Sequence, residues 1–361
     1  MSAAFGGSRV LVIGLSLTID RLLDLKTLEL GRSNRYHSRS VSWGGKGLNV
    51  VRGLTARGVG CALLTLDPEG RVSVPPADLP HLDWPPADSG SEFCAIPADF
   101  PLRQNLKLHV SGTDASLELT ELNDAGQAPA EADRIVEELK GFVARSFGGF
   151  DLKESPRVMV CSGSLPVGLP DELYADLLET ATGNGALTIL DARSRPAALA
   201  LERGVVHIVK PNREELAAFT ESDCSDLEGA FRAAWQLAER SGAWVLASLG
   251  ASGAALILPG SSEVFYAPAP VQGVIPGLGV PQRLIGAGDA MTASLARQAQ
   301  RACERGRVDG LALRDSLDPA ELLADAIAAA TVTISLPPDL DPDPGMIDAV
   351  SAKISVERRL V

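Results

Sequence analysis

The segment of this chain best equipped for chemistry is Leu284-Ile285-Gly286-Ala287-Gly288-Asp289-Ala290-Met291, which leads into an apolar helix ending near Cys303. Two glycines and an alanine at a helix start allow main-chain N–H groups to point at an anion, with the helix dipole assisting. A carboxylate directly after them stands where an attacking hydroxyl would meet a transferring phosphoryl group. Asp289 would accept the hydroxyl proton, and the amides of Gly286, Ala287 and Gly288 would stabilise charge on the phosphoryl oxygens. Read alone, the segment is equally a helix N-terminus with an aspartate in its first turn.

Spacing excludes two common phosphate loops. A GxxxxGK[ST] loop ending at Lys46 would need glycine where Ser40 stands and a hydroxyl residue where Gly47 stands. The GxGxxG pattern begun at Gly286 fails at its third glycine, which is Met291.

Four other segments carry candidate ligands. In Val209-Lys210-Pro211-Asn212-Arg213-Glu214-Glu215-Leu216, Asn212 and Glu215 bracket a turn and can face one hydrated Mg²⁺. That ion keeps several waters and needs few protein oxygens; ordinary helix capping would use the same two residues. Ser248-Leu249-Gly250-Ala251-Ser252-Gly253 is a strand end with glycines that let a nucleotide approach the backbone, or simply a hairpin. Gly44-Gly45-Lys46-Gly47-Leu48-Asn49 is a glycine loop before a helix, able to hold a polar ligand while Asn49 reads hydroxyls. Asp20, shortly after the first strand, could accept two more hydroxyl hydrogen bonds. Arg103, Asn105 and Lys107 alternate by two, so their side chains leave one strand face. Two cations and an amide there suit a phosphate-bearing polyol, although a solvated sheet face has the same pattern.

The elements that must position these residues follow a regular rhythm. Short apolar strands are expected at 9–14, 61–66, 158–161, 187–190, 205–209 and 244–248. Helices are expected over 48–56, from 132 (with Ala132, Ile135, Val136, Leu139, Phe142 and Val143 on one face), over 171–182, from 194, and over 226–240. Apolar strands alternating with amphipathic helices imply a parallel sheet covered on both faces. Segments 16–43 and 100–122 alternate polar and apolar instead and are read as one small separate sheet. Asp67–Pro101, with Pro75-Pro76 and Pro85-Pro86, is expected to hold no regular element.

The chain has 361 residues, 45% hydrophobic and 22% charged, which suits one large α/β domain with an attachment. Its 33 Lys and Arg against 46 Asp and Glu leave a net charge of −13, which argues against nucleic-acid and anionic-membrane partners. No apolar stretch reaches the roughly 18 residues of a membrane span, and no leader pattern opens the chain. Five scattered cysteines without a CxxC pair suit reduced thiols, so a cytoplasmic location is expected.

Taken together and in this order, GGKGLNV (44–50), RQNLK (103–107), CSGSLPVGLP (161–170), VKPNREEL (209–216), SLGASGA (248–254) and IGAGDA (285–290) resemble the ribokinase-like carbohydrate kinases, in the phosphofructokinase B family. Any one of these pieces is weak; their joint occurrence across most of the chain is specific. The resemblance implies a three-layer α/β core around a mainly parallel sheet, from 1–15, 44–99 and 123–361, with a β-sheet lid from 16–43 and 100–122. It implies the base role for Asp289 and an anion hole at Gly286, Ala287 and Gly288. Sugar contacts would come from Asp20, Gly44, Gly45, Lys46, Asn49 and Asn105, and contacts to the phosphate already on the substrate from Arg103 and Ser164. Lys210, Asn212, Ser248, Gly250 and Gly253 would meet ATP, with Asn212 and Glu215 organising Mg²⁺ through water.

Three departures from the family pattern stand out. Ser16-Leu17-Thr18-Ile19-Asp20 lacks the usual Asn-Pro before its aspartate, the proline-rich 67–101 segment replaces a glycine-rich turn and helix, and Leu336-Pro337-Pro338 displaces a glycine after the helix at 324–333. The expectation is an ATP-dependent kinase acting on a hydroxyl of a ketohexose phosphate, fructose 1-phosphate first and tagatose 6-phosphate second. A kinase for an unphosphorylated sugar or nucleoside, and a silent sugar-phosphate sensor, are the alternatives. A homodimer through the lid is the one protein partner implied.

Overall fold

Val10-Leu11-Val12-Ile13 is apolar at every position because both faces of its strand are covered. The structure, a computed structural model, describes residues 10–29, 31–68, 91–99, 102–110, 116–120, 131–148, 157–270, 286–305, 310–336 and 342–361. The chain begins with β1 (Val10–Ile13), β2 (Thr18–Leu25), β3 (Tyr36–Gly44), α1 (Lys46–Thr55) and β4 (Cys61–Pro68). Then come β5 (Glu92–Ala98), β6 (Arg103–Val110), β7 (Ser116–Thr120) and α2 (Ala132–Phe147). Strands and helices alternate through β8 (Val158–Ser162), α3 (Leu173–Gly183), β9 (Leu187–Asp191), α4 (Ser194–Glu202) and β10 (Ile208–Val209). After α5 (Arg213–Thr220), α6 (Leu227–Ser241) and β11 (Trp244–Ser248), the chain makes the hairpin β12 (Ala254–Ile257) and β13 (Glu263–Ala267). Four helices, α7 (Ala287–Arg305), α8 (Gly310–Asp315), α9 (Pro319–Ser335) and α10 (Pro344–Ser351), precede the last strand, β14 (Glu357–Leu360).

The main sheet has ten strands in the order β14-β13-β12-β11-β10-β9-β8-β1-β4-β5. From β11 to β5 every neighbouring pair is parallel, and β12, β13 and β14 add an antiparallel edge. Alternation along β1 builds the three layers. Leu11 and Ile13 enter a core with Ile135, Leu139, Tyr174 and Phe231 of α2, α3 and α6. Val10 and Val12 enter the opposite core with Leu48, Leu54, Leu295 and Leu323 of α1, α7 and α9. Truncating a side chain such as Leu11 to alanine costs about 2–5 kcal/mol in cores of this kind.

A second sheet of four strands, β3-β2-β6-β7, stands apart from the first. It is mixed: β2 runs parallel to β6 and antiparallel to β3, so segments far apart in sequence meet in its centre. The element-free reading of Asp67–Pro101 needs correction. Glu92–Ala98 forms β5, parallel to β4 at the sheet edge, where Pro97 removes no donor that a further strand would need. The strand expected over 205–209 is confined to Ile208–Val209. The prolines at 75–76, 85–86 and 337–338, and the Leu284-Ile285 lead-in to the glycine loop, lie outside the described residues.

Candidate active site

Parallel strands β8, β9, β10 and β11 end on the same edge of the sheet and deliver Ser164, Asp191, Lys210 and Ser248 there or just beyond it. Open parallel sheets bind ligands at this edge, because the turns that follow the strands leave a crevice.

Asp191, the last residue of β9, is fully buried and sits at the centre of the charged groups. Lys46 Nζ lies 3.1 Å and Lys210 Nζ 3.4 Å from its Oδ1. Thr292 of α7 donates its hydroxyl to Oδ2 at 2.9 Å. Burial alone would push the Asp191 carboxyl up; the Lys210 and Lys46 ammoniums and the Thr292 bond outweigh it and hold the group below its ordinary value. Burial would likewise lower Lys46, but Asp191, then Asp289 and Glu215, keep its ammonium well above the usual lysine range.

Asp289 lies in the first turn of α7 and is buried. Asn49 of α1 donates its side-chain amide to Asp289 Oδ2 at 2.8 Å. Burial, and after it the negative Asp191, raise the Asp289 carboxyl above its ordinary value, against the pull of Lys46, Asn49 and Lys210. A carboxylate raised in this way is a stronger proton acceptor than one in water. Gly286 adopts φ +96°, a left-handed conformation that costs glycine little, and its carbonyl accepts the first helical bond from Ala290. Gly288 passes beside Lys210, whose Nζ a Cβ at 288 would meet at 3.2 Å. Ala287 is the first residue of α7.

The small sheet supplies the facing wall. A cleft of about 660 Å³ is lined by Asp20, Lys107 and Trp43 from the small sheet and by Asn49, Gly286 and Ala290 from the core. Asp20 of β2 is the hub of this wall. Its Oδ1 accepts from Thr18 Oγ1 at 2.8 Å and from Asn105 Nδ2 at 2.8 Å, and its Oδ2 accepts from Lys107 Nζ at 2.5 Å. Those contacts follow from the parallel β2–β6 register, which sets Asp20 opposite Asn105 and Leu22 opposite Lys107. Gly44 is the residue that admits the carboxylate: a Cβ there would lie 2.3 Å from Asp20 Oδ2.

Other expected positions are placed as follows. Gly45 is the N-cap of α1 with φ +116°. Arg103 pairs with Thr18 in the β2–β6 register, one pleat before Asn105. Ser164 accepts the Ser16 hydroxyl on its carbonyl at 2.9 Å. Asn212 and Glu215 form a reciprocal capping box on α5: Asn212 Oδ1 accepts from the Glu215 N–H at 2.8 Å, and Glu215 Oε2 from the Asn212 N–H at 2.9 Å. Asn212 also bridges to Ser248, and Gly250 and Gly253 turn the chain from β11 into β12.

Among the described residues no cluster of three or more His, Cys, Asp or Glu forms a metal cage. The capping box leaves Glu215 one carboxylate oxygen outside its own bonds, and the charge of Glu215 is felt at Lys46. Such a donor set fits Mg²⁺ held through water and phosphate oxygens, and no direct protein cage.

Two residues escaped the reading of motifs. Asp191 ends an apolar strand, which was a usable signal, since a carboxylate at a parallel strand's C-terminus faces the crevice. Thr292 follows Asp289 by three residues, hence lies on the same helix face.

Residues 149–339 match the family model described as pfkB family carbohydrate kinase. Over 291 residues the chain is 31% identical to the 1-phosphofructokinase of Xanthomonas campestris pv. campestris, covering 80% of this chain and 83% of the relative. The chain belongs to the pfkB family of carbohydrate kinases. A second relative in the family, the 1-phosphofructokinase of Rhodobacter capsulatus, is 29% identical over 91% of this chain and 99% of its own length. The fold of this pfkB kinase is that of Escherichia coli phosphofructokinase-2 solved with substrates and products, at TM-score 0.75 and 21% identity over 96% and 99% of the two chains. Arabidopsis thaliana ribokinase shares it at TM-score 0.59 and 15% identity, over 96% of this chain and 99% of the ribokinase. No helix among the described residues is long and apolar enough to cross a membrane.

Proposed function

We propose that this pfkB-family kinase moves the γ-phosphoryl group of ATP to a hydroxyl of a ketohexose phosphate, fructose 1-phosphate before tagatose 6-phosphate. The observation that carries the reading is a single cleft with the Asp289 loop on one wall and the Asp20–Lys107 pair on the other. The curated relatives named 1-phosphofructokinase support the acceptor, and the 30%-identical Escherichia coli relative named ATP-dependent 6-phosphofructokinase isozyme 2 supports the donor.

In this reading Asp289 takes the proton of the acceptor hydroxyl as its oxygen bonds to the γ-phosphorus and the bond from that phosphorus to the β-phosphate bridge breaks. Asn49 holds the carboxylate in line for that transfer. The amides of Gly286, Ala287 and Gly288, with Lys46 and Lys210 nearby, stabilise charge on the phosphoryl oxygens. Asp20, Gly44, Gly45 and Asn105 position the sugar hydroxyls, and Arg103, Lys107 and Ser164 receive the phosphate the sugar already carries. Asn212, Ser248, Gly250 and Gly253 border the nucleotide. Bound Mg²⁺ would neutralise charge on the ATP phosphates, with Asn212 and Glu215 holding its waters.

The domain reading goes with this function. Segments 16–43 and 100–122 act as a lid over a core of 1–15, 44–99 and 123–361, and two lids pair in a homodimer in the cytoplasm. An ADP-release assay across hexose phosphates, free sugars and nucleosides tests the proposal. Turnover highest with a ketohexose phosphate is the expected result. Highest turnover with a free sugar or nucleoside overturns the substrate, and sugar-phosphate binding with no ADP formed overturns the enzyme.

A further inference from the structure

Lys107 does more in this geometry than add positive charge to the cleft. An ionised carboxylate has about four lone-pair sites. At Asp20, both sites on Oδ1 are taken by Thr18 and Asn105, and Oδ2 holds the Lys107 ammonium at 2.5 Å. The Cα of Gly44 covers the same oxygen closely, since a Cβ there would stand 2.3 Å from it. Both partners of the ion pair have side chains only 13% exposed. A sugar hydroxyl therefore meets an acceptor that is already nearly saturated.

From this we infer that Lys107 is a specificity-determining residue, a latch on Asp20 that the substrate's own phosphate opens. The inference deepens the ketohexose-phosphate reading and rests on it. A phosphate dianion entering the cleft is a stronger partner for the ammonium than a monoanionic carboxylate shared with two other donors. Drawing Lys107 across frees Oδ2 to accept a sugar hydroxyl: the ammonium keeps an anionic partner, and the carboxylate keeps hydrogen-bond donors on both oxygens, Thr18 and Asn105 on Oδ1 and the sugar on Oδ2. A free ketohexose brings hydroxyls and no anion. Its binding to Asp20 would displace a mostly buried ammonium with nothing to receive it. Discrimination for phosphorylated sugars then arises twice: from the new pair gained, and from the penalty placed on sugars that cannot open the latch.

The two effects separate experimentally. With wild-type enzyme, kcat/KM is measured for fructose 1-phosphate, for fructose, and for fructose with added phosphite dianion as an unattached anion. Lys107→Met keeps the stem and removes the charge. Its expected effect is a roughly hundredfold loss with fructose 1-phosphate, about the worth of a charged hydrogen bond. With fructose, a several-fold gain is expected, and the activation by phosphite that the latch predicts for wild type should be lost. Lys107→Arg should restore much of the discrimination.

A variant that loses fructose 1-phosphate activity with no gain on fructose makes Lys107 a simple contact and ends the latch. An unchanged ratio ends it as well. Should Lys107→Met fail to fold by circular dichroism, Lys107→Gln is read by the same ratio. Wild-type enzyme inactive on every hexose phosphate overturns the proposed function and the latch together; active wild type with an unaltered ratio in the variants overturns the latch alone.

Discussion

Asn49 and Asp289 are 240 residues apart in sequence, yet the side-chain amide of the first donates to the carboxylate of the second at 2.8 Å. The bond spans from α1, which follows β3 of the small sheet, to α7, whose first turn carries Asp289. It fixes the orientation of the carboxylate oxygen without neutralising it.

Replacing Asp289 with asparagine keeps the shape and removes the proton acceptor. The variant should lose about 10²–10⁴ in kcat, the usual worth of a general base, with sugar-phosphate affinity nearly unchanged. ADP release gives the first quantity and calorimetry the second. Near-normal turnover would remove Asp289 from the chemistry.

The pH profile carries the signature of the neighbours. Because burial and Asp191 raise Asp289, the acid limb of kcat/KM should lie above the ordinary aspartate value of about 3.9. Asp191→Asn removes a negative neighbour and should shift that limb to lower pH. Lys46→Met removes a positive one and should shift it to higher pH. Parallel shifts in both variants would contradict the arrangement.

Gly44→Ala tests the seat of Asp20. The new methyl would overlap the carboxylate at 2.3 Å and force Asp20 out of its place. A displacement of that size should cost roughly a hundredfold in kcat/KM for the sugar. The KM for ATP should stay within about twofold, because Asp20 and Gly44 belong to the wall proposed for the sugar, apart from the turn at Asn212 and Ser248 proposed for the nucleotide.

Behind the site, Arg57 of the α1 C-terminal turn reaches Asp325 of α9 with two bonds, at 2.8 and 2.6 Å, and the Asp325 side chain is 5% exposed. Ser294 and Arg297 of α7 also meet Asp325. Burial would raise Asp325, but the Arg57 bonds and charge outweigh it and hold it below its ordinary value. Its contribution to stability is therefore present above the unfolded pKa of about 3.9 and lost as pH falls through the lower folded value. Asp325→Ala should cost about 3–5 kcal/mol in urea unfolding at neutral pH, since two buried guanidinium groups lose their shared anion.

What could be read from residues alone was whatever is local in the chain. Apolar runs such as Val10–Ile13 and Leu187–Leu190, and the helical spacing of Ile135, Val136, Leu139 and Val143, determine strands and helices through side-chain periodicity. The glycine loop before Asp289 is similarly legible, because a helix start and its dipole are properties of consecutive residues. Strand β5 was not legible: its residues lie after a proline-rich stretch, and only pairing with β4 makes them a strand. The charge centre at Asp191 was hidden for the same kind of reason. Its partners Lys46, Lys210 and Thr292 come from three other elements, and nothing in the spacing of four residues along a chain says that a parallel sheet will bring them within a few ångströms. Periodicity did place Arg103, Asn105 and Lys107 on one strand face, but the β2–β6 register decided that Asn105 and Lys107 meet Asp20. Local sequence determines which groups are offered; long-range packing, where desolvation and Coulomb terms act between distant segments, decides which of them meet and in what charge state.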